Sequence, residues 1–293
     1  MILTPMHGRS SDRGFLAAVL ALLVVSVGYG AGAQFSSSVD LVEVYVSVTS
    51  TDGRPVDTLT AEDFVVTEDG TPRAIDTFAQ GDFPLSVVLA LDRSFSMAGP
   101  PLRQARDAAR SFLDGLRPED EALVVAIGTG VEPQGEISRD RSQQRAAVDA
   151  LVPWGTTSLH DAIKALLEQV GSATGRRAVI VFSDGRDRYS TATVDDVVMR
   201  ARQTDVLFYG IALGEARSAL FEELASLTGG QAHHIVRPEQ LAGVLNGIQR
   251  ELRTQYLLGY QPVPDGPSGW RTIVVSARRP DVRVRARGGY LAP

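Results

Sequence analysis

Three short segments, far apart in the chain, carry side chains able to do chemistry together: Asp92-Arg93-Ser94-Phe95-Ser96, Gly155-Thr156-Thr157-Ser158 and Ser183-Asp184-Gly185. They offer two carboxylates, Asp92 and Asp184, and three hydroxyls, Ser94, Ser96 and Thr157. An all-oxygen set of this kind suits a hard divalent cation (Mg2+, Ca2+ or Mn2+) and disfavours zinc and copper. Mg2+ takes six oxygens and usually keeps water among them. Five side chains, some acting through water, therefore leave a position open for an outside ligand. Phe95, His160 and Arg186 stand beside these segments as a candidate ligand rim.

The rest of the composition leaves few rivals. The 293 residues include no cysteine, which excludes disulfide scaffolds, Cys-ligated zinc, iron–sulfur clusters and thiol nucleophiles. Four histidines leave little for zinc chemistry or a Ser-His-Asp triad. A formal charge of −6 argues against a general nucleic-acid binder. With 44% hydrophobic and 22% charged residues, the chain has a folded protein's composition rather than that of a disordered or collagen-like one. Asp92 as a phosphorylated nucleophile would want a second acid two residues on, where Ser94 stands. Ser183 lies in no Gly-x-Ser-x-Gly elbow. Gly128-Thr129-Gly130 lacks a phosphate-binding lysine and reads as a strand-end turn, and His233 and His234 point to opposite faces of a strand.

Positioning these residues requires strands that end where the segments begin. Continuous apolar runs at Leu85–Leu91, Ala122–Ile127, Ala178–Phe182, Val206–Ile211 and His233–Val236 read as strands covered on both faces. Between them, helical periodicity covers Leu102–Leu116, Gln143–Leu151, Leu159–Val170, Val194–Ala201, Ser218–Leu227 and Pro238–Leu252. The alternation predicts an α/β fold with a doubly wound, mostly parallel sheet, whose ligand crevice lies beyond the carboxyl ends of the strands. All three chemical segments would emerge there.

The flanks are different. Residues 1–33 read as a signal peptide: a weakly basic lead at Arg9 and Arg13, the apolar run Phe15–Val27, and a small-residue cleavage pattern at Ala31-Gly32-Ala33. That run is too short for a comfortable membrane span, and no later run is long enough, so an exported, periplasmic or secreted protein is expected. In residues 34–82, Val42–Val48 alternates ahead of an Asp52-Gly53 hairpin turn. A strand pair at Phe64–Thr67 and Arg73–Asp76 then flanks Glu68-Asp69-Gly70, after a capped turn at Thr60–Asp63. In residues 255–293, Val274-Val275 and the alternating Val282–Arg287 are strand-like. Arg283, Arg285 and Arg287 would face solvent or complement the acidic N-terminal zone. The first flank holds 2 basic and 10 acidic side chains, the second 6 basic and 2 acidic. Neither can build a core alone. Together they read as the two parts of one small β-sandwich module, with residues 83–254 inserted between them.

The series Asp92-x-Ser94-x-Ser96, a distant Thr157 and a later Ser183-Asp184-Gly185 resembles the metal-ion-dependent adhesion site of von Willebrand factor type A domains, over about Phe83 to Arg253. More narrowly, the chain is similar to bacterial exported proteins of the VWFA-related type. These carry a segment like Leu59-Thr60-Ala61-Glu62-Asp63-Phe64-Val65-Val66-Thr67-Glu68-Asp69-Gly70 before the A domain. After it come segments like Tyr256-Leu257-Leu258-Gly259-Tyr260 and Arg287-Gly288-Gly289-Tyr290. The resemblance implies direct metal binding by Ser94 and Ser96, Thr157 binding directly or through water, and Asp92 and Asp184 holding metal-bound waters. It implies Mg2+ first among the candidate cations and a partner protein presenting Asp or Glu to the open position. It also implies movement of the last helix, near Pro238–Leu252, as a switch of affinity. Phe95 departs from the glycine often found there. A non-enzymatic interaction module is expected; the alternatives are an envelope assembly subunit with the metal as a staple, and a metal-dependent hydrolase, for which no general base accompanies the site.

Overall fold

The computed structural model describes residues 41–292 apart from Asp82, Ser172, Thr174, Ala216, Pro264, Asp265 and Pro267. The expected signal peptide lies outside the described residues. In chain order the elements are β1 (Val42–Ser50), β2 (Phe64–Glu68), β3 (Thr71–Arg73), β4 (Thr77–Gln80), β5 (Leu85–Asp92), α1 (Pro100–Asp114), β6 (Glu121–Ile127), β7 (Val131–Pro133), α2 (Arg141–Ala150) and α3 (Leu159–Val170). Then follow β8 (Arg176–Ser183), α4 (Val194–Arg202), β9 (Leu207–Leu213), α5 (Ala219–Thr228), β10 (Gln231–Ile235), α6 (Leu241–Arg253), β11 (Tyr256–Tyr260), β12 (Gly269–Ala277), β13 (Val282–Ala286) and β14 (Gly289–Ala292).

Every residue of β5 is buried, because helices cover both faces of its sheet. One face packs on α1, α2 and α6 through residues such as Ala105, Phe112, Val148, Leu245 and Leu252. The other packs on α3, α4 and α5 through Ile163, Leu166, Val197 and Phe221. The strand order is β10-β9-β8-β5-β6-β7, parallel except for β7. Three residues at the edge form β7, too short to leave a period in the sequence, and Pro133 ends it where no ladder hydrogen bond is needed. From β5 the chain first steps to β6, and it later returns to β8 on β5's other side. That reversal opens a crevice at the carboxyl ends of β5 and β8, where Asp92 and Ser183 end their strands.

Both flanks of the chain enter two antiparallel sheets, β13-β1-β11-β4 and β14-β12-β2-β3. Their shared core includes Val44, Val46, Val48, Phe64, Val66, Tyr256, Leu258, Tyr260 and Ile273. The Asp52-Gly53 turn forms, with Gly53 at φ 82°, but the hairpin it closes is short: one antiparallel bridge, Thr49 to Pro55, with Ser50 N–H donating to Arg54 O (2.8 Å) and Val56 N–H to Val48 O (2.9 Å). β1 pairs with β11 and β13 from the other end of the chain, where its buried valines find a core. The arginine row also behaves differently from expectation. Arg283 is exposed, but Arg285 pairs with Glu251 of α6, outside the acidic zone. Arg287 donates to the carbonyls of Gly289 and Thr204. Glu251 also accepts from Ser47 (3.0 Å) and Tyr209 (2.7 Å), so one carboxylate binds α6 to β1, β9 and β13.

A second carboxylate, Asp120, holds the opposite end of the sheet. It is fully buried and accepts from the backbone N–H groups of Leu85 (3.1 Å) and Arg117 (2.8 Å) and from the Arg253 guanidinium. Burial opposes its ionisation, but these donors outweigh burial and hold its carboxyl below the usual range. Its contribution to stability is therefore fully present above the unfolded carboxylate pKa and is lost as pH falls through the lower folded value. Urea midpoints measured from pH 6 downward should fall less steeply in Asp120→Asn than in wild type; parallel curves would exclude Asp120 as an acid-sensitive link.

Candidate functional site

The three chemical segments meet at the carboxyl edge because their backbones hydrogen-bond one another. Arg93 N–H donates to Ile127 O (2.9 Å), Phe95 N–H to Gly155 O (3.1 Å) and Trp154 N–H to Arg93 O (2.8 Å). Ser158 N–H reaches Gly128 O, and Arg188 N–H reaches Thr157 O, each at 2.9 Å. Gly155 is required in this weave. It sits at φ 75°, and a Cβ there would lie 2.4 Å from the Thr129 hydroxyl oxygen.

Asp92 lies at the centre and is fully buried. Its Oδ1 accepts from Ser94 N–H (2.9 Å), and its Oδ2 from the Ser183 hydroxyl (2.6 Å), with the Thr157 hydroxyl at 3.5 Å. The hydroxyls of Ser94 and Ser96 are 3.0 Å apart. Asp184 is half-buried, and its Oδ1 accepts from Arg186 N–H (3.0 Å). The structure thus brings Asp92, Ser94, Ser96 and Thr157 into one hydrogen-bonded group. Asp184 follows on the adjoining strand end, near enough for its charge to act on Asp92. Burial raises the Asp92 carboxyl above its usual range, hydrogen bonds from Ser183 and Ser94 oppose the rise, and the charge of Asp184 adds to it.

That arrangement bears on a cation directly. Among the described residues Asp92 has no ion pair, and a buried carboxylate facing a second one without a positive partner is costly. Among the described residues no three or more His, Cys, Asp or Glu side chains are grouped so as to hold a metal ion by themselves. The oxygens gathered here are two carboxylates and neutral hydroxyls, a set that fits a hard divalent ion.

Of the expected rim, Phe95 is 64% exposed beside the two serines, and Arg186 is exposed next to Asp184. His160 is half-buried, its Nδ1 3.2 Å from Ala192 O and 3.9 Å from Asp187. Two residues that sequence reasoning left without a role hold the site together. Ser183 links the ends of β5 and β8 through Asp92, and its oxygen also accepts from Gly185 N–H (3.1 Å). Asp187 caps α3 from a different loop, accepting from Leu159 N–H (2.7 Å) and His160 N–H (3.2 Å), while Ser158, at the cap position, makes no side-chain cap. Asp187 follows Asp184 by three residues, which was the one available signal.

Residues 87–186, from β5 through the Asp184 loop, match the von Willebrand factor type A domain family. This part of the chain is a von Willebrand factor type A domain. A solved von Willebrand factor type A protein from Catenulispora acidiphila is 14% identical with a TM-score of 0.52, covering 88% of this chain and 75% of its own. Proximal thread matrix protein 1 from the mussel byssus, solved with zinc in its metal-ion-dependent adhesion site, is 15% identical with a TM-score of 0.51. The match covers 59% of this chain and 49% of that one. Human calcium-activated chloride channel regulator 4 is 27% identical over 173 residues, 55% of this chain. The chain spans only 18% of that relative's length. The doubly wound α/β fold expected of an A domain is the fold observed, with β7 as its antiparallel edge.

Proposed function

We propose that the A domain is a protein-binding module that captures a partner's Asp or Glu through a divalent cation, Mg2+ first among the candidates. The observation that carries this reading is Asp92: buried, without a cationic partner among the described residues, and ringed by hydroxyls at the crevice of the sheet. Ser94, Ser96 and Thr157 would hold the cation through neutral oxygens, with Asp92 and Asp184 orienting bound water. The cation supplies positive charge that the hydroxyls leave uncompensated, and an external carboxylate answers it. Nothing in the set acts as an evident general base, and His160 has its Nδ1 beside a carbonyl, which supports binding over catalysis.

Calorimetric titration of Mg2+, Ca2+, Mn2+ and Zn2+ into wild type and Asp184→Ala tests the reading. Zinc belongs in the series because the mussel protein carries it at the corresponding motif. One saturable site is expected in the wild type and none in the variant; equal binding by both would end the proposal. In this reading residues 83–254 do the binding, and residues 34–82 with 255–293 form the β module that carries them. The protein is exported after cleavage behind Ala33, consistent with the resemblance to bacterial exported relatives. No helix among the described residues is long and apolar enough to cross a membrane. Mass spectrometry of the protein recovered outside the cytoplasm should give a chain beginning at Gln34; a chain that keeps its first residues would overturn the cleavage.

A further inference from the structure

The two edges of the A domain's central sheet are finished differently. At one edge β7 is three residues long and ends at Pro133, so it offers little to a further strand. At the other, β10 runs Gln231-Ala232-His233-His234-Ile235 with no proline, lysine or acid, and pairs with β9. The Ile235 carbonyl accepts from Gly214 N–H (3.0 Å), so Ile235 turns its backbone groups toward β9. Alternation along the strand turns those of Gln231 and His233 the same way, and those of Ala232 and His234 outward. No strand lies beyond them among the described residues. Next in the outward series, Val236 N–H donates to Gln240 Oε1 (3.1 Å), which closes the edge after His234.

A groove of about 560 Å³ opens beside this edge. Ala225 of α5, Ala232, Ile273 and Val275 of β12, and Val284 and Ala286 of β13 border it. Two more open strand edges lie there. Among the described residues β13 pairs with β1 only, and the second half of β12 pairs only with β2, since β14 covers Gly269–Thr272. Val274, also on the groove, is 54% exposed. The arginines nearby are already answered: Arg217 by Glu222 (3.4 Å), Arg285 by Glu251, and Arg287 by two carbonyls. Unpaired strand backbone above an apolar floor is what an extended, uncharged segment satisfies.

This groove joins the metal cleft. Arg217 borders it and also borders the cleft of about 390 Å³ that holds Ser96 and Asp184. A small pocket shares Ser218 with the cleft, and Glu222 and Ala232 with the groove. A strand added to β10 would lie three inter-strand steps from β8, about 14 Å, the reach of four or five extended residues. On the reading under Proposed function, we propose that β10 takes an added strand from the partner whose carboxylate the cation holds. The added segment is extended and uncharged, with apolar side chains at alternate positions. Its backbone pairs with Ala232 and His234, and its apolar side chains cover Val274 and the floor of the groove.

The test uses the full chain in Mg2+ and fluorescent peptides made of one Asp, a Gly-Ser-Gly-Ser spacer and Thr-Val-Thr-Val-Thr, in both chain directions. Binding in the favoured direction should slow amide exchange, read by NMR, at Ala232 and His234. Replacing the Thr-Val part by Gly-Ser should weaken it roughly tenfold or more. N-methylation distinguishes a strand from a merely apolar contact. Methyl groups on one alternate set of peptide amides should cost roughly tenfold and on the other set little, because only one set faces β10. Ala232→Pro removes an outward N–H and no bond to β9, and Val274→Asp alters an exposed side chain. Each should weaken peptide binding several-fold and leave Mg2+ calorimetry as in the wild type. Equal effects of the two methylation sets, slowed exchange elsewhere but not at these amides, or no binding of either direction by Mg2+-loaded wild type would each overturn the proposal. So would self-association that slows exchange at Ala232 and His234 without peptide, since a second copy would then be the occupant. A wild type that binds no Mg2+ but still shows the peptide-induced slowing would overturn the metal reading and leave the strand site in place.

Discussion

Without metal, Asp92→Asn should be at least as stable as the wild type at neutral pH, and with Mg2+ it should fall behind by about 2 kcal/mol. The two halves of this expectation have one cause. Asp92 is buried with no cation beside it among the described residues, and its acceptors face only hydroxyls and an amide. Asparagine keeps an acceptor for Ser94 N–H and removes the buried charge, so the metal-free fold loses little or gains. A cation bound only by the folded state stabilises it by about 2.7 kcal/mol at a hundred times its Kd. Losing a group that orients ligands weakens metal sites by roughly 10- to 100-fold. At the larger figure the same Mg2+ concentration stabilises the variant by only about 0.4 kcal/mol. Urea unfolding of both proteins in EDTA and in Mg2+ measures all four values. If Mg2+ stabilised both alike, or if the metal-free variant were much weaker, Asp92 would be a structural carboxylate and not part of a cation site.

The α/β part was legible because its strands are buried on both faces. A run such as Leu85–Leu91 has no polar alternation to confuse it, and the helix at Leu159–Val170 lies where its periodicity put it. The β flanks were harder, since short antiparallel strands take their partners from across the chain. The Asp-Gly turn after β1 gives a strong local hairpin signal, yet β1 pairs with β11 and β13, because there its valines reach the core shared with Tyr256 and Leu258. Length hid β4 and β7, at four and three residues.

At the site, the two aspartates and three hydroxyls stood out because each follows a strand or opens a helix, a position where chemistry collects in this class of fold. Ser183 and Asp187 did not. Their roles exist only once the loops close: Ser183 matters through a carboxylate at the end of another strand, and Asp187 through the bare N-terminus of a helix that precedes it in sequence.

Glu68→Ala should destabilise the β flanks by about 3–5 kcal/mol, the usual cost of removing one partner from a buried ion pair. Glu68 lies in the acidic flank and is almost completely buried. It accepts from the hydroxyls of Tyr260 (2.9 Å) and Tyr290 (3.0 Å), and it faces Arg271 at 3.4 Å and Arg73 at 3.6 Å. Three of these four partners come from the last forty residues, so one carboxylate joins the two ends of the chain that the charge imbalance had suggested belong together. Alanine leaves the Arg73 guanidinium short of a counter-charge, and Arg73 already has a buried Nε with no hydrogen-bond partner. Tyr290→Phe removes one donor and leaves the charges paired, so it should cost only about 1 kcal/mol. The contrast between the two variants separates charge pairing from simple loss of packing. Thermal unfolding should place Glu68→Ala on the order of 10 °C below wild type and Tyr290→Phe within a few degrees of it. Equal losses would mean that packing, not the carboxylate, holds the flanks together. At temperatures where it is still folded, Glu68→Ala should keep wild-type Mg2+ affinity, because none of Glu68's partners belongs to the loops at the ends of β5 and β8.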